Sequence, residues 1–395
     1  MKFLRRRHAA AGLALVLAAG AIAAPTAPAT RPPELPLEQL TMEKLPPADG
    51  LRLYLSDPTM PHLVDGRVHV IDGGAMRYLG MLGTGFAGST TLSRDRKQIF
   101  VATTYYSRLQ RGTRADVLEV YGSDDLAFQY EIELPARHIQ SLPTKPLLGT
   151  SEDGRFLFVQ NATPATSITV VDLPARKVAG EIAAPGCYGA YPWPGQPRRL
   201  STVCGDGTLA TFELDEQGAL KSQNVSAPFF DPDQDPVFTH YQLNGTRLSF
   251  VSYGGQVYEV DLVGDKPEPH KPWPLLSAAE RKKGWRPGGY ELFALDPRSG
   301  RLFVAMHDKA SEGSHKNPAS EIWVFDVNTQ RRIGRLPGEM ALSMALAQGD
   351  KPRLFLLSAA ENRLVSFDVS GTKLPTRPLA RSAPMGETPI YLEMH

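Results

Sequence analysis

Cysteine is nearly missing from this chain, whose 395 residues hold only Cys187 and Cys204. That excludes a disulfide-dense scaffold and any site built from several thiolates. Charge of one sign is not in excess either, with 43 basic against 42 acidic side chains. Without Lys2, Arg5, Arg6 and Arg7 the balance is 39 to 42. Neither a basic stripe nor a run of stacking aromatics stands out, so nothing points to nucleic acid. No Gly-x-Ser-x-Gly elbow occurs, nor any Cys/His constellation with a recognisable signature. The nine histidines include no i, i+4 pair in a helical stretch, and no metal site is expected.

Turn formers are abundant, with 35 glycines and 34 prolines, too many for a helical protein. Between the turns the chain repeats one extended motif. Residues 321–327 alternate Ile322, Val324 and Asp326 against Trp323, Phe325 and Val327, a β-branched and aromatic run that favours a strand. Six relatives lie at 68–72, 117–122, 168–172, 209–213, 257–261 and 364–368, most closing on an acid. A companion strand precedes each copy, at 51–57, 98–106, 155–162, 199–205, 247–255, 301–308 and 353–361, usually led by a basic residue. The mean step of about 49 residues is that of a four-stranded propeller blade. The turns Glu152-Asp153-Gly154-Arg155, Asn244-Gly245-Thr246-Arg247 and Arg298-Ser299-Gly300-Arg301 carry hairpin chemistry. The expected fold is an all-β, seven-bladed β-propeller. Its first copy begins directly at the second strand, and a surplus strand at 390–394 complements it, closing the first blade.

Domain limits follow. Residues 1–29 read as a secretory signal: cations, an apolar run from Ala9 to Ala24, then Ala/Pro sequence with small residues at Ala23 and Ala29. The run is shorter than the roughly 20 residues of a membrane span. Residues 30–50, rich in proline, form an N-terminal arm that is either a disordered tail or a segment ordering against a partner. The propeller occupies 51–395. In an exported chain the two cysteines are expected to pair, because the midpoint between them falls in the turn 192–197 and sets Cys187 and Cys204 on adjacent strands.

Other motifs have plain readings. Gly83-Thr84-Gly85-Phe86-Ala87-Gly88 matches a dinucleotide fingerprint, but strand-like residues rather than a helix follow, so it reads as a loop between blades. His307 and His315 flank one loop and are assigned nothing. Arg108, Arg111 and Arg114 make a basic hairpin tip, solvated or available for docking.

From about residue 50 onward the chain resembles the heavy subunit of the quinoprotein amine dehydrogenases. The resemblance rests on residues 107–116 (Ser-Arg-Leu-Gln-Arg-Gly-Thr-Arg-Ala-Asp), on Gly186-Cys187 with Cys204-Gly205-Asp206-Gly207, and on 284–289 (Gly-Trp-Arg-Pro-Gly-Gly). Residues 161–167 and 315–319 look closer to the aromatic amine (aralkylamine) dehydrogenases than to the methylamine dehydrogenases. The family implies a non-catalytic seven-bladed heavy chain with one disulfide, in an α2β2 heterotetramer with a small light (beta) subunit in the periplasm. That partner carries tryptophan tryptophylquinone, whereas Trp193, Trp273, Trp285 and Trp323 of this chain read as packing residues. The implied reaction oxidises primary amines to aldehyde and ammonia, with electrons passing to an azurin- or amicyanin-like blue-copper protein. Phe86 matches a family phenylalanine at the substrate channel, where an aromatic would favour apolar amines. It reads alternatively as local packing. Gly85, Ala87 and Gly88 beside it suggest a wide entrance. The rival readings are a stand-alone periplasmic propeller that binds a ligand or protein without catalysis, and a lactonase-like or metal-dependent hydrolase.

Overall fold

The structure, a computed structural model, describes residues 43–395. The expected signal sequence, 1–29, and residues 30–42 of the arm lie outside the described residues. The described chain is all-β, with 28 strands against a single five-residue α-helix, Ala278–Lys282. No helix among the described residues is long and apolar enough to cross a membrane.

Five hydrogen-bonded sheets of seven, four, four, five and eight strands follow one another along the chain. The first holds β1 (Arg52–Asp57), β2 (Gly66–Asp72), β3 (Arg77–Leu92), β4 (Gln98–Arg108), β5 (Arg111–Gly122) and β6 (Phe128–Leu134). The C-terminal strand, Tyr391–Met394, lies antiparallel on β1, from Ser56 opposite Tyr391 to Leu53 opposite Met394. It covers the edge of β1 that would otherwise be an open template for another chain.

Each of the seven strand pairs read from the sequence forms an antiparallel ladder. The basic residue that leads one strand often meets the acid that closes the next. Arg155 reaches Asp172 at 3.0 Å, Arg199 reaches Glu213 at 2.9 Å, and Arg247 reaches Asp261 at 2.8 Å. The turns between strands use left-handed glycines, Gly154, Gly245 and Gly300, at no steric cost to a residue without a Cβ.

Two long strands serve two neighbours each. The first half of β3 pairs with β2 and its second half with β4; Arg331–Ala347 does the same for strands Ala319–Asp326 and Arg353–Ser358. Apolar clusters then join successive strand groups. Tyr54, Val68 and Val70 pack with Leu92, Ile99 and Val101, while Leu53, Leu55 and Ile71 pack with Phe355, Leu357, Leu364 and Leu392 from the other end of the chain. Arg353 spans the same seam, donating to Gly73 O at 3.4 Å.

Two sequence readings are corrected here. The segment 83–88 is not a loop: it lies inside β3, where a register shift between Phe86 and Ser89 bends the strand from one partner to the next. Arg114 is not a solvated tip residue. Its guanidinium is held by the wholly buried Asp116 through two 2.8 Å contacts, because a buried carboxylate needs a paired cation and donors.

Candidate functional site

The second half of β3 runs from Phe86, opposite Thr104, to Leu92, opposite Ile99, and its two ends present different chemistry. At the Phe86 end the backbone is tightly constrained. Gly85 and Ala87 are both left-handed, with φ of 55° and 51°. A Cβ on Gly85 would meet Thr103 Oγ1 at 2.6 Å, and one on Gly88 would meet Thr84 O at 2.2 Å. Those small residues are therefore required for the bend itself, since neighbouring strands fill the space a side chain would take.

The Phe86 ring is half-buried and meets Tyr106 edge-on, with centroids 6.1 Å apart at 85°, a geometry favoured by the ring quadrupoles. Tyr106 in turn accepts a hydrogen bond from Gln140 at 2.9 Å. Beyond it the β4–β5 hairpin extends to Arg108, Leu109 and Arg111, all exposed, with Leu109 74% exposed. The hairpin base is fixed from beneath. Asp116 accepts from Thr104 Oγ1 and from His138 N–H, each at 2.8 Å, while Arg114 donates to His138 O at 2.8 Å. Burial holds the His138 imidazole down at about 4, so it is neutral. The result is a rigid platform carrying an aromatic pair and an apolar tip flanked by two cations.

The other end of the strand opens on a cavity of about 480 Å³. Residues 91–94, 96, 148–150, 192, 240–243, 291, 344–346 and 391–394, drawn from seven separate stretches of the chain, contribute to its wall. Its interior is polar. Glu291 accepts from Leu392 N–H at 2.8 Å, and burial pushes its carboxyl up to about 8. His240 Nδ1 lies 3.6 Å from that carboxyl, its Nε2 is 2.9 Å from Phe293 O, and burial holds it neutral at about 3. A protonated Glu291 facing a neutral imidazole nitrogen is self-consistent, since the acid supplies the proton that the ring lacks.

The two cysteines are joined, with an S–S distance of 2.08 Å and opposed positions on neighbouring strands, Cys187 opposite Cys204. The tryptophans are packing residues: Trp193 and Trp323 are wholly buried, and Trp323 lies 5.2 Å from Trp285 between ring centroids. Sequence reasoning singled out Phe86 but not the residues around it. Tyr106, Gln140, Asp116 and His138 come from three separate stretches, and only the doublet Tyr105-Tyr106 is locally conspicuous. It also missed the cavity, for Lys145, His240, Glu291 and Glu393 share no motif. Among the described residues no cluster of three or more His, Cys, Asp or Glu is placed to hold a metal ion.

The likeness to known proteins spans almost the whole described chain. The family model for the methylamine dehydrogenase heavy chain matches residues 49–386. The methylamine dehydrogenase heavy chain of Methylobacillus flagellatus is 29% identical over 367 residues, covering 91% of both chains. That of Paracoccus versutus is 29% identical over 337 residues, covering 82% of this chain and 76% of its own. A candidate 6-phosphogluconolactonase from Bacteroides uniformis superposes with a TM-score of 0.61 at 11% identity, over 89% of this chain and 99% of its own, a likeness of fold alone. With the family model covering residues 49–386, from β1 through the Phe86 platform, this chain belongs to the methylamine dehydrogenase heavy chain family.

Proposed function

We propose that this chain is the non-catalytic heavy subunit of a periplasmic amine dehydrogenase that oxidatively deaminates primary amines, aromatic or aralkyl amines in particular. The match of residues 49–386 to the heavy-chain family carries the reading. The fold is taken as a seven-bladed ring closed by the C-terminal strand. In its support, seven stretches wall one cavity and an apolar cluster joins first strands to last. The partner is a small light subunit in an α2β2 assembly, and the electron acceptor is a blue-copper protein. Tryptophan tryptophylquinone in the light subunit would supply the reactive carbonyl.

This chain's own contribution is positional. Phe86, braced by Tyr106, offers an apolar edge at the platform, and contact area there would favour a substrate carrying a ring over a single methyl group. The segments resembling the aromatic amine enzymes support that preference. Gentle isolation of the native complex tests the reading: a small quinone-bearing chain should co-purify, and amine-dependent dye reduction should require both chains. Activity in the isolated heavy chain would overturn it, and the absence of a small partner would overturn it in favour of a stand-alone propeller. Within the complex, Phe86→Ala is expected to lower the preference for aralkyl amine over methylamine by about tenfold, a methylene-scale loss of contact. An unchanged ratio of kcat/KM values removes Phe86 from the entrance.

A further inference from the structure

The cavity is not explained by the heavy-subunit role, and one of its cations, Lys145, has no paired carboxylate among the described residues. Arg94 and Arg96 stand at its turn end. Burial, then the neighbouring Arg96 charge, lowers the basicity of Arg94, although Glu152 pairs with it. Arg96 donates to Met394 O at 3.1 Å and lies 3.8 Å from Glu393. From the Lys145–Leu147 turn, the Lys145 ammonium sits over the Tyr241 ring, 5.2 Å from its centroid, with no carboxylate within 4 Å among the described residues.

The acids in the wall do not offset these cations fully. Burial pushes Glu291 up to about 8, and a carboxyl held in its neutral form donates a hydrogen bond rather than repelling an anion; Glu393 and Glu152 are matched by Arg96 and Arg94. A water-sized void would need no such surplus of donors, and about 480 Å³ admits a small organic molecule.

We propose that the cavity binds a small oxyanion, a carboxylate or phosphate, with Lys145 and the Arg94–Arg96 pair as its charge partners. Charge-assisted hydrogen bonds from several converging cations are strong enough to select such a group. The site lies away from Phe86, at the other end of the same strand, and does not depend on an amine dehydrogenase role.

Calorimetric titration of the purified full chain with inorganic phosphate, and separately with succinate, at low ionic strength tests this. Saturable binding of at least one of the two is expected with Kd of about 1 mM or tighter, and the arm that binds identifies the headgroup. Lys145→Gln should weaken it by about tenfold, whereas Lys145→Arg, which keeps the charge, should retain it. If Lys145→Gln does not fold, as judged by near-UV circular dichroism, Arg96→Gln at its exposed turn position reads the same loss. No saturable binding of either anion by the parent chain overturns the proposal, as does undiminished binding by a folded Lys145→Gln chain.

Discussion

Asp57 at the seam and Glu291 in the cavity wall are both buried carboxyls, with side chains 1% and 5% exposed, yet they sit at opposite ends of the carboxylate range. Burial pushes each upward. At Asp57 that push is outweighed by donors: His69 Nε2 at 3.4 Å and the amides of Thr59, Glu387 and Thr388 at 2.9, 2.5 and 3.0 Å, which hold it down at about 2. Glu291 has one amide donor, from Leu392, and rises to about 8. The number of donors aimed at a buried carboxylate, rather than the burial, decides its charge. At the seam the charge is structural, because it ties the segment before the C-terminal strand to the end of β1. In the cavity wall the missing charge leaves Lys145 without an acid to offset it.

The comparison breaks most visibly at the seam. Deleting residues 390–395 removes the strand on β1 and uncovers Leu53 and Leu55. The expected loss is several kcal/mol, a large part of the 5–15 kcal/mol that typically holds a domain together, and a cooperative thermal transition should disappear. A truncated chain melting like the parent would show that the seam is dispensable. A smaller loss, about 3 kcal/mol, is expected at neutral pH for Asp57→Asn, which keeps the shape but loses the charge that its donors stabilise. Its pH dependence has a defined sign. The folded carboxyl titrates at about 2, below the unfolded value of about 3.9, so its stabilisation is present above pH 4 and is lost as pH falls towards 2. Denaturant melts of parent and variant should therefore converge in acid and separate above pH 4.

Glu291→Gln should behave in the opposite sense. Its folded carboxyl titrates at about 8, above the unfolded value of about 4.3, so the parent is favoured below pH 4 and loses stability as pH rises to 8. Glutamine stays neutral and keeps an acceptor for Leu392 N–H. The variant should match the parent near pH 4 and exceed it at pH 9. Parallel curves for parent and variant would show that Glu291 is ionised throughout and would erase the contrast with Asp57.

Much of the scaffold is legible along the chain. A period-two pattern of β-branched and aromatic residues reports its own strand, and Asp-Gly or Asn-Gly reports its own turn, because both preferences are set by adjacent φ/ψ angles. The bend at 83–88 was misread as a loop for the same reason. Glycines mark a departure from regular geometry without saying whether the strand ends or merely changes partner, and that depends on Thr103 and Tyr105 from the next strand.

The sequence by itself determined the seven strand pairs, their turns, the cysteine pairing and the surplus C-terminal strand, since each is a local or nearest-neighbour preference. Only the tertiary structure decided that Lys145, His240, Glu291 and Glu393 face one cavity with Arg94 and Arg96, and that Arg114 turns inward to Asp116. Those outcomes depend on which side chains from distant stretches are buried together. Desolvation and donor count, which set their charges, exist only once the strands have packed.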